Sequence, residues 1–313
     1  MKPAKLVLTA LLLAVYNYAA SQPVPNRGNK ADSLMNEGNV LGAIAEYKRL
    51  YSLNPKDQKI VYNYAAALSV DNSVIKQFDS CFKYLNLAVE TDTSIAALTD
   101  PSFIPAREDR NWSVFENRLI SMLNIKYKNP YRDIEYAKAL WRLAAYDQAY
   151  FNEIGIAFRK IGMRSSVASA LWRFKFMIQE KNQQELEKLV AAKGWPEIKD
   201  VGREASMAAY LVAMHTNDGS QKKYLPMIKQ RCEENELPWL RYALIYDRCL
   251  YNENKPQKYG THTKYNELTG SEELYPLEDE TKVDEWRKEL GLEPLAEYLA
   301  RLNIKFQPVR KTQ

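Results

Sequence analysis

The chain has 313 residues, 46% of them hydrophobic and 27% charged, with 44 basic against 39 acidic side chains. This length allows two domains of ordinary size with sizeable cores. The small basic surplus is interleaved with acids, as in DETKVDEWRKE at 279–289, which reads as a solvated surface and excludes nucleic acid as an expected partner.

Lys2 and Lys5 precede the apolar run LVLTALLLAV and the small residues Ala19, Ala20 and Ser21. That order is a secretory signal peptide over 1–21, so a bacterial protein exported to the periplasm or the extracellular space is expected. The run is too short to span a bilayer with its flanks, and no later run reaches membrane length, so no membrane span is expected once the signal is removed. Cys81, Cys232 and Cys249 are an odd number for an exported protein. Cys232 and Cys249 would stand at different heights on helices joined at 234–237, and three buried thiols are expected rather than a disulfide.

From Ala31 the pattern is helical and repeats. Gly38, Ala43, Tyr47, Leu50 and Pro55 fall at tetratricopeptide offsets, with a turn glycine, small and large knobs and a closing proline. A second copy runs over 61–90, with Tyr62, Tyr64, Ala65 and Leu68 on one helix and Cys81, Leu85 and Ala88 on the next. Pro101, Pro105 and Trp112 mark an irregular end. The segment 22–127 is thus expected to be a tetratricopeptide-like array whose groove could hold a protein or peptide partner.

Lys128–Pro130 reads as a linker to a C-terminal domain over 128–313. Two strongly helical stretches follow, 134–154 and 166–194, the second closed by Gly194 and Trp195–Pro196. Helices are also expected over 203–217, 223–234 and 238–251. Along 257–265, Tyr259, Thr261, Thr263 and Tyr265 alternate with Lys258, His262 and Lys264. This strand period suggests a hairpin near 257–277. Asp279 can cap a helix over 280–290, and Gly291 can end it before a last helix at 293–302. The expected fold is mainly α with one small β-hairpin.

The stretch LRYALIYDRCLYNENKPQKYGTHT, 240–263, carries the candidate chemistry. Asp247 lies on an apolar helical stripe with Leu240, Ala243, Leu244, Leu250 and Tyr251, so its carboxylate needs a partner. The loop after it holds Gln257, Tyr259, Thr261 and His262 around Gly260. His215, near a helix C-terminus, can act in acid–base chemistry or simply cap and pack. Two readings follow. In one, His215, Asp247 and Tyr259 are catalytic, with Asp247 orienting His215 as in a hydrolase. In the other, Arg248, Gln257, Thr261 and His262 bind a ligand in a polar cleft, or Asp247 and Arg248 only fasten the hairpin. The interaction or ligand-binding reading comes first and the hydrolase-like one second. With only His215 and His262 and no helix-spaced ligand pair, no metal site is expected.

From about Trp141 to Arg301 the chain resembles a family of exported bacterial proteins that share a C-terminal domain of unknown function. The residues that carry the resemblance are Asp147–Gln148, Gly194–Trp195–Pro196, Val201–Gly202, His215, Asp247–Arg248, Pro256–Gln257, Tyr259–Gly260–Thr261, Glu278–Asp279, Val283–Asp284, Arg287 and Leu290–Gly291–Leu292. Met214 and His262 stand where that family tends to have glutamine. The resemblance implies neither a reaction nor a cofactor.

Overall fold

A computed structural model describes residues 29–71, 78–162, 164–216, 218–266, 271–304 and 306. The expected signal peptide lies outside them, as does the turn of the expected hairpin at 267–270. The described residues fall into two compact units, one within 25–215 and one within 216–313.

The first unit begins with α1 (Lys30–Asn36), α2 (Val40–Leu53), α3 (Gln58–Val70) and α4 (Phe78–Thr91), each packed on the next. Asn29, Asn39 and Asp57 start the first three by accepting hydrogen bonds from main-chain N–H groups of the opening turn. Buried Asp32 on α1 accepts from the Tyr47 hydroxyl on α2 and from Asn63 on α3, so one carboxylate ties three helices. A short α5 (Ala96–Thr99) and two single turns opened by Pro101 and Pro105 lead to α6 (Asn111–Tyr127). Lys128 and Asn129 then take positive φ. The 128–130 segment, a linker by its sequence, lies inside this unit. Across it, Lys138 pairs with Glu116 and donates to Asn117.

Next come α7 (Ile134–Gln148), α8 (Phe151–Ile161), α9 (Ser166–Lys193), α10 (Ile198–Val201) and α11 (Arg203–Met214), with α7, α9 and α11 in mutual contact. The sequence predicts one helix across 134–154, but the structure breaks it at Ala149–Tyr150. Tyr150 adopts φ +69° there without glycine or proline to signal it, and its ring meets Phe174 edge-on at 5.0 Å. Tertiary packing overrides local helix propensity at this point. The break gives α7 a C-terminus immediately after Asp147 and Gln148.

The second unit holds α12 (Asp218–Glu233) packed on α13 (Trp239–Asn252), the antiparallel pair β1 (Thr263–Asn266) and β2 (Ser271–Leu274), then α14 (Val283–Glu289) and α15 (Leu295–Arg301). Thr263 stands opposite Leu274, and Gln257 bridges Leu277 further along. Helix α14 starts later than its sequence suggests. Asp279 accepts from both the N–H and the hydroxyl of Thr281, closing a turn that holds off the helix until Val283. Val283, Leu295, Tyr298, Leu299 and Ile304 form a core with Leu240, Leu274 and Leu277 against it. The protein is therefore mainly α with one small hairpin. Cys81, Cys232 and Cys249 are buried free thiols, and no helix among the described residues is long and apolar enough to cross a membrane.

Candidate functional site

Two polar clusters contain the candidate residues, one in each unit. In the second unit the loop after α13 wraps around Asp247, which is fully buried. Its Oδ1 accepts from the N–H groups of Lys258 (2.8 Å) and Tyr259 (3.0 Å). Oδ2 accepts from the N–H (3.1 Å) and hydroxyl (2.9 Å) of Thr261. Burial pushes the Asp247 carboxyl above its usual range, against the pull of these donors. Gly260 sits in this wrap at φ +70°, where a Cβ would fall 2.6 Å from Leu295 Cδ1, so only glycine fits without a shift.

Gln257 is equally enclosed. Its amide donates to the carbonyls of His262 (2.9 Å) and Tyr275 (2.7 Å) and accepts from His262 N–H (2.8 Å), which pins both sides of the hairpin. His262 Nε2 lies 2.9 Å from the Leu244 carbonyl, with the ring 6.0 Å from Tyr251. Burial, with the Arg248 guanidinium adding to it, pushes the His262 pKa down to about 3, so the neutral ring donates from Nε2. Arg248 lies 5.8 Å from the centre of the Tyr251 ring. Arg287 donates to the Tyr259 and Glu293 carbonyls. Asp247, Gln257, Tyr259, Thr261 and His262 are thus brought together, but their polar atoms are spent largely on main-chain groups.

His215 belongs to the other cluster. The spacing of the sequence pairs it with Asp247; in the structure its ring is held by Asp147. Nδ1 lies 2.8 Å from Oδ1 and 2.9 Å from Oδ2 of that buried carboxylate. The reason is local. The break after Gln148 ends α7, and His215 caps the C-terminus of α11, so two adjacent helix ends present a carboxylate and an imidazole to each other. Gln148 donates to Asp147 Oδ2 at 2.7 Å. Lys175, fully buried on α9, donates to the Asp147 main-chain carbonyl, which the end of α7 leaves unpaired, and its ammonium lies 4.1 Å from the centre of the Phe151 ring. Phe151 also stands edge-on to His215 at 6.4 Å. Burial alone would raise the Asp147 carboxyl, but the His215 ring and the Lys175 ammonium hold it below its usual range. Among the described residues His215 Nε2 has no hydrogen-bond partner. No group of three or more metal-binding side chains occurs among the described residues.

Burial lowers Lys175 from its ordinary 10.5 to about 8. Between those values the unfolded chain binds a proton that the folded chain does not, so folding stability gains as pH rises through that window. Wild type is expected to gain about 2–3 kcal/mol relative to Lys175→Met between pH 8 and 10.5. Denaturant titrations of both proteins across that range check this, and parallel stability profiles would rule it out.

Lys175, Phe151 and the His215–Asp147 pairing are missing from the sequence reading, although the signal was present. Lys175 occupies the buried face of α9 with Ala168, Trp172 and Gln179, where a lone lysine calls for a partner just as Asp247 does. No curated protein and no solved structure matches the chain. Residues 142–307, which include both clusters, match a family of unknown function, DUF6624; they make up just over half of the 313 residues, and the chain belongs to that family.

Proposed function

We propose that this protein binds a small ligand beside His215 and acts on it by general-base catalysis, in the manner of a hydrolase. The observation that carries this reading is that both oxygens of Asp147 face Nδ1 of His215, while Nε2 is left without a partner. A carboxylate on Nδ1 fixes the tautomer that keeps the lone pair on Nε2, and it stabilises the imidazolium formed when Nε2 takes a proton from water or a hydroxyl. Lys175 partly balances the buried negative charge. The Asp247 loop, with most of its polar atoms already engaged, serves in this reading as the frame of the second unit. The candidate roles of Tyr259, Arg248, Thr261 and His262 are then structural.

A second reading is an interaction protein, in which the tetratricopeptide-like helices of 30–91 hold a protein or peptide. It is favoured by Leu41 and Leu53 on α2, which are 67% and 70% exposed. In both readings the chain is exported, a proposal supported by the lysines, apolar run and small residues of 1–21.

One experiment separates the readings. Wild type, His215→Ala and Asp147→Asn are assayed against chromogenic esters, phosphoesters and peptides. The hydrolase reading expects turnover of one of these classes, reduced about 10²–10⁴-fold in His215→Ala, with a smaller loss and an altered pH profile in Asp147→Asn. Absence of turnover, or turnover that survives His215→Ala, overturns it and leaves the interaction reading.

A further inference from the structure

Helix α9 has a second apolar face that is largely exposed, engaged within its own unit through the contact of Phe174 with the Tyr150 ring. Its buried face is Ala168, Trp172, Lys175 and Gln179. About a third of a turn away run Val167, Ala170, Phe174 and Met177, spaced three, four and three, which is the rhythm of a coiled-coil seam. Val167, Phe174 and Met177 are 50%, 45% and 55% exposed. Leu171 and Ile178 flank this seam on the side nearer the core and are half-buried. Arg173 and Glu180 flank it on the other side. Both are exposed, and among the described residues neither forms an ion pair. At Lys181 and Gln184 the seam turns polar, so it is two heptads long.

We propose that this seam is a self-association surface, pairing antiparallel with the same seam of a second copy about a twofold axis near Lys175–Phe176. The charge pattern selects both the occupant and the direction. In the antiparallel arrangement Phe174 meets Met177 of the other copy, Leu171 meets Ile178, and Arg173 meets Glu180, each pair occurring twice. Ala170 and Val167 lie opposite Lys181 and Gln184, so Leu171, Phe174, Met177 and Ile178 carry the apolar contact. Phe–Met contacts of this kind are favourable, and every flanking charge finds its opposite. A parallel arrangement would set Arg173 against Ile178 and leave both charges unpaired. A seam of about 16 Å, from about 1.5 Å per residue, buries less than a standard interface. The dimer is therefore weak and concentration-dependent.

Sedimentation equilibrium of the full protein from low to high micromolar concentration tests this, with helical content and thermal melting as controls for folding. Wild type is expected to shift from monomer to dimer. Arg173→Glu or Glu180→Arg alone sets like charges opposite each other twice and should weaken the dimer about tenfold or more. Combining the two reversals should restore it to near the wild-type value, and Met177→Glu should abolish it. A protein that stays monomeric throughout, a dimer indifferent to either single reversal, or a double reversal that fails to restore association each overturns the proposal.

Discussion

Asp247→Ala should cost about 3–5 kcal/mol of folding stability, the range typical of breaking a buried, hydrogen-bonded charge network. The carboxylate is the hub on which residues 258–261 are wound. It accepts from three main-chain N–H groups and one hydroxyl, and all of these would be left without an acceptor. Domains are stable by only about 5–15 kcal/mol, so such a loss is a large share of the total. Asp247→Asn separates charge from shape. If its oxygen replaces Oδ1, the new NH₂ points at the N–H of Thr261, donor against donor, and about 2–3 kcal/mol should still be lost. Urea unfolding of the three proteins gives the ranking. An Asp247→Asn protein with wild-type stability would show that the carboxylate does not organise this loop and would reopen it as a ligand site.

The same residue shows how far the sequence can be read. Its place on an apolar stripe already demands a partner, but the partners are main-chain N–H groups of a loop, and no side-chain pattern displays those. Alternation along 257–265 sets Tyr259, Thr261 and Thr263 on one side, and in the structure all three are buried. The regular strand starts only at Thr263, because the N–H groups of Lys258, Tyr259, Thr261 and His262 go to the Asp247 and Gln257 side chains rather than to a neighbouring strand. Asp147 carries the same signature as Asp247. It continues the stripe of Ala137, Leu140, Trp141 and Ala144, but a helix taken as unbroken to 154 hides the fact that a helix end occurs beside it. Periodicity therefore finds elements and misplaced charges well. The pairing of those charges depends on where helices stop, and at Tyr150 that is decided by a contact from another helix.

His262 should make the second unit lose stability in acid, in a way that a single substitution removes. The residue packs on Tyr251, donates to the carbonyl of Leu244, and has the positive Arg248 facing it, so the folded state resists protonation down to about pH 3. The unfolded chain takes up that proton near the ordinary 6.5. Between these values the unfolded state binds more protons, so stability is intact above pH 6.5 and falls as pH drops towards 3. The loss should be about 3–4 kcal/mol, less than the full shift would give because water reaches part of the residue. Asp247, wound into the same loop, works in the opposite direction. Its carboxyl is raised, so protonating it in acid favours the folded state and cannot be the source of the loss. Asp147 contributes in the same sense as His262, because its carboxyl is held below its usual range, but it lies in the other unit and is unchanged by a substitution at 262. Glutamine at 262 has an amide N–H that can reach the Leu244 carbonyl and does not titrate. His262→Gln should therefore fold about as well as wild type at neutral pH and lose markedly less stability between pH 6.5 and 3. Denaturant midpoints measured for both proteins across that range decide it, and curves that fall together would show that the imidazole is not the group being protonated.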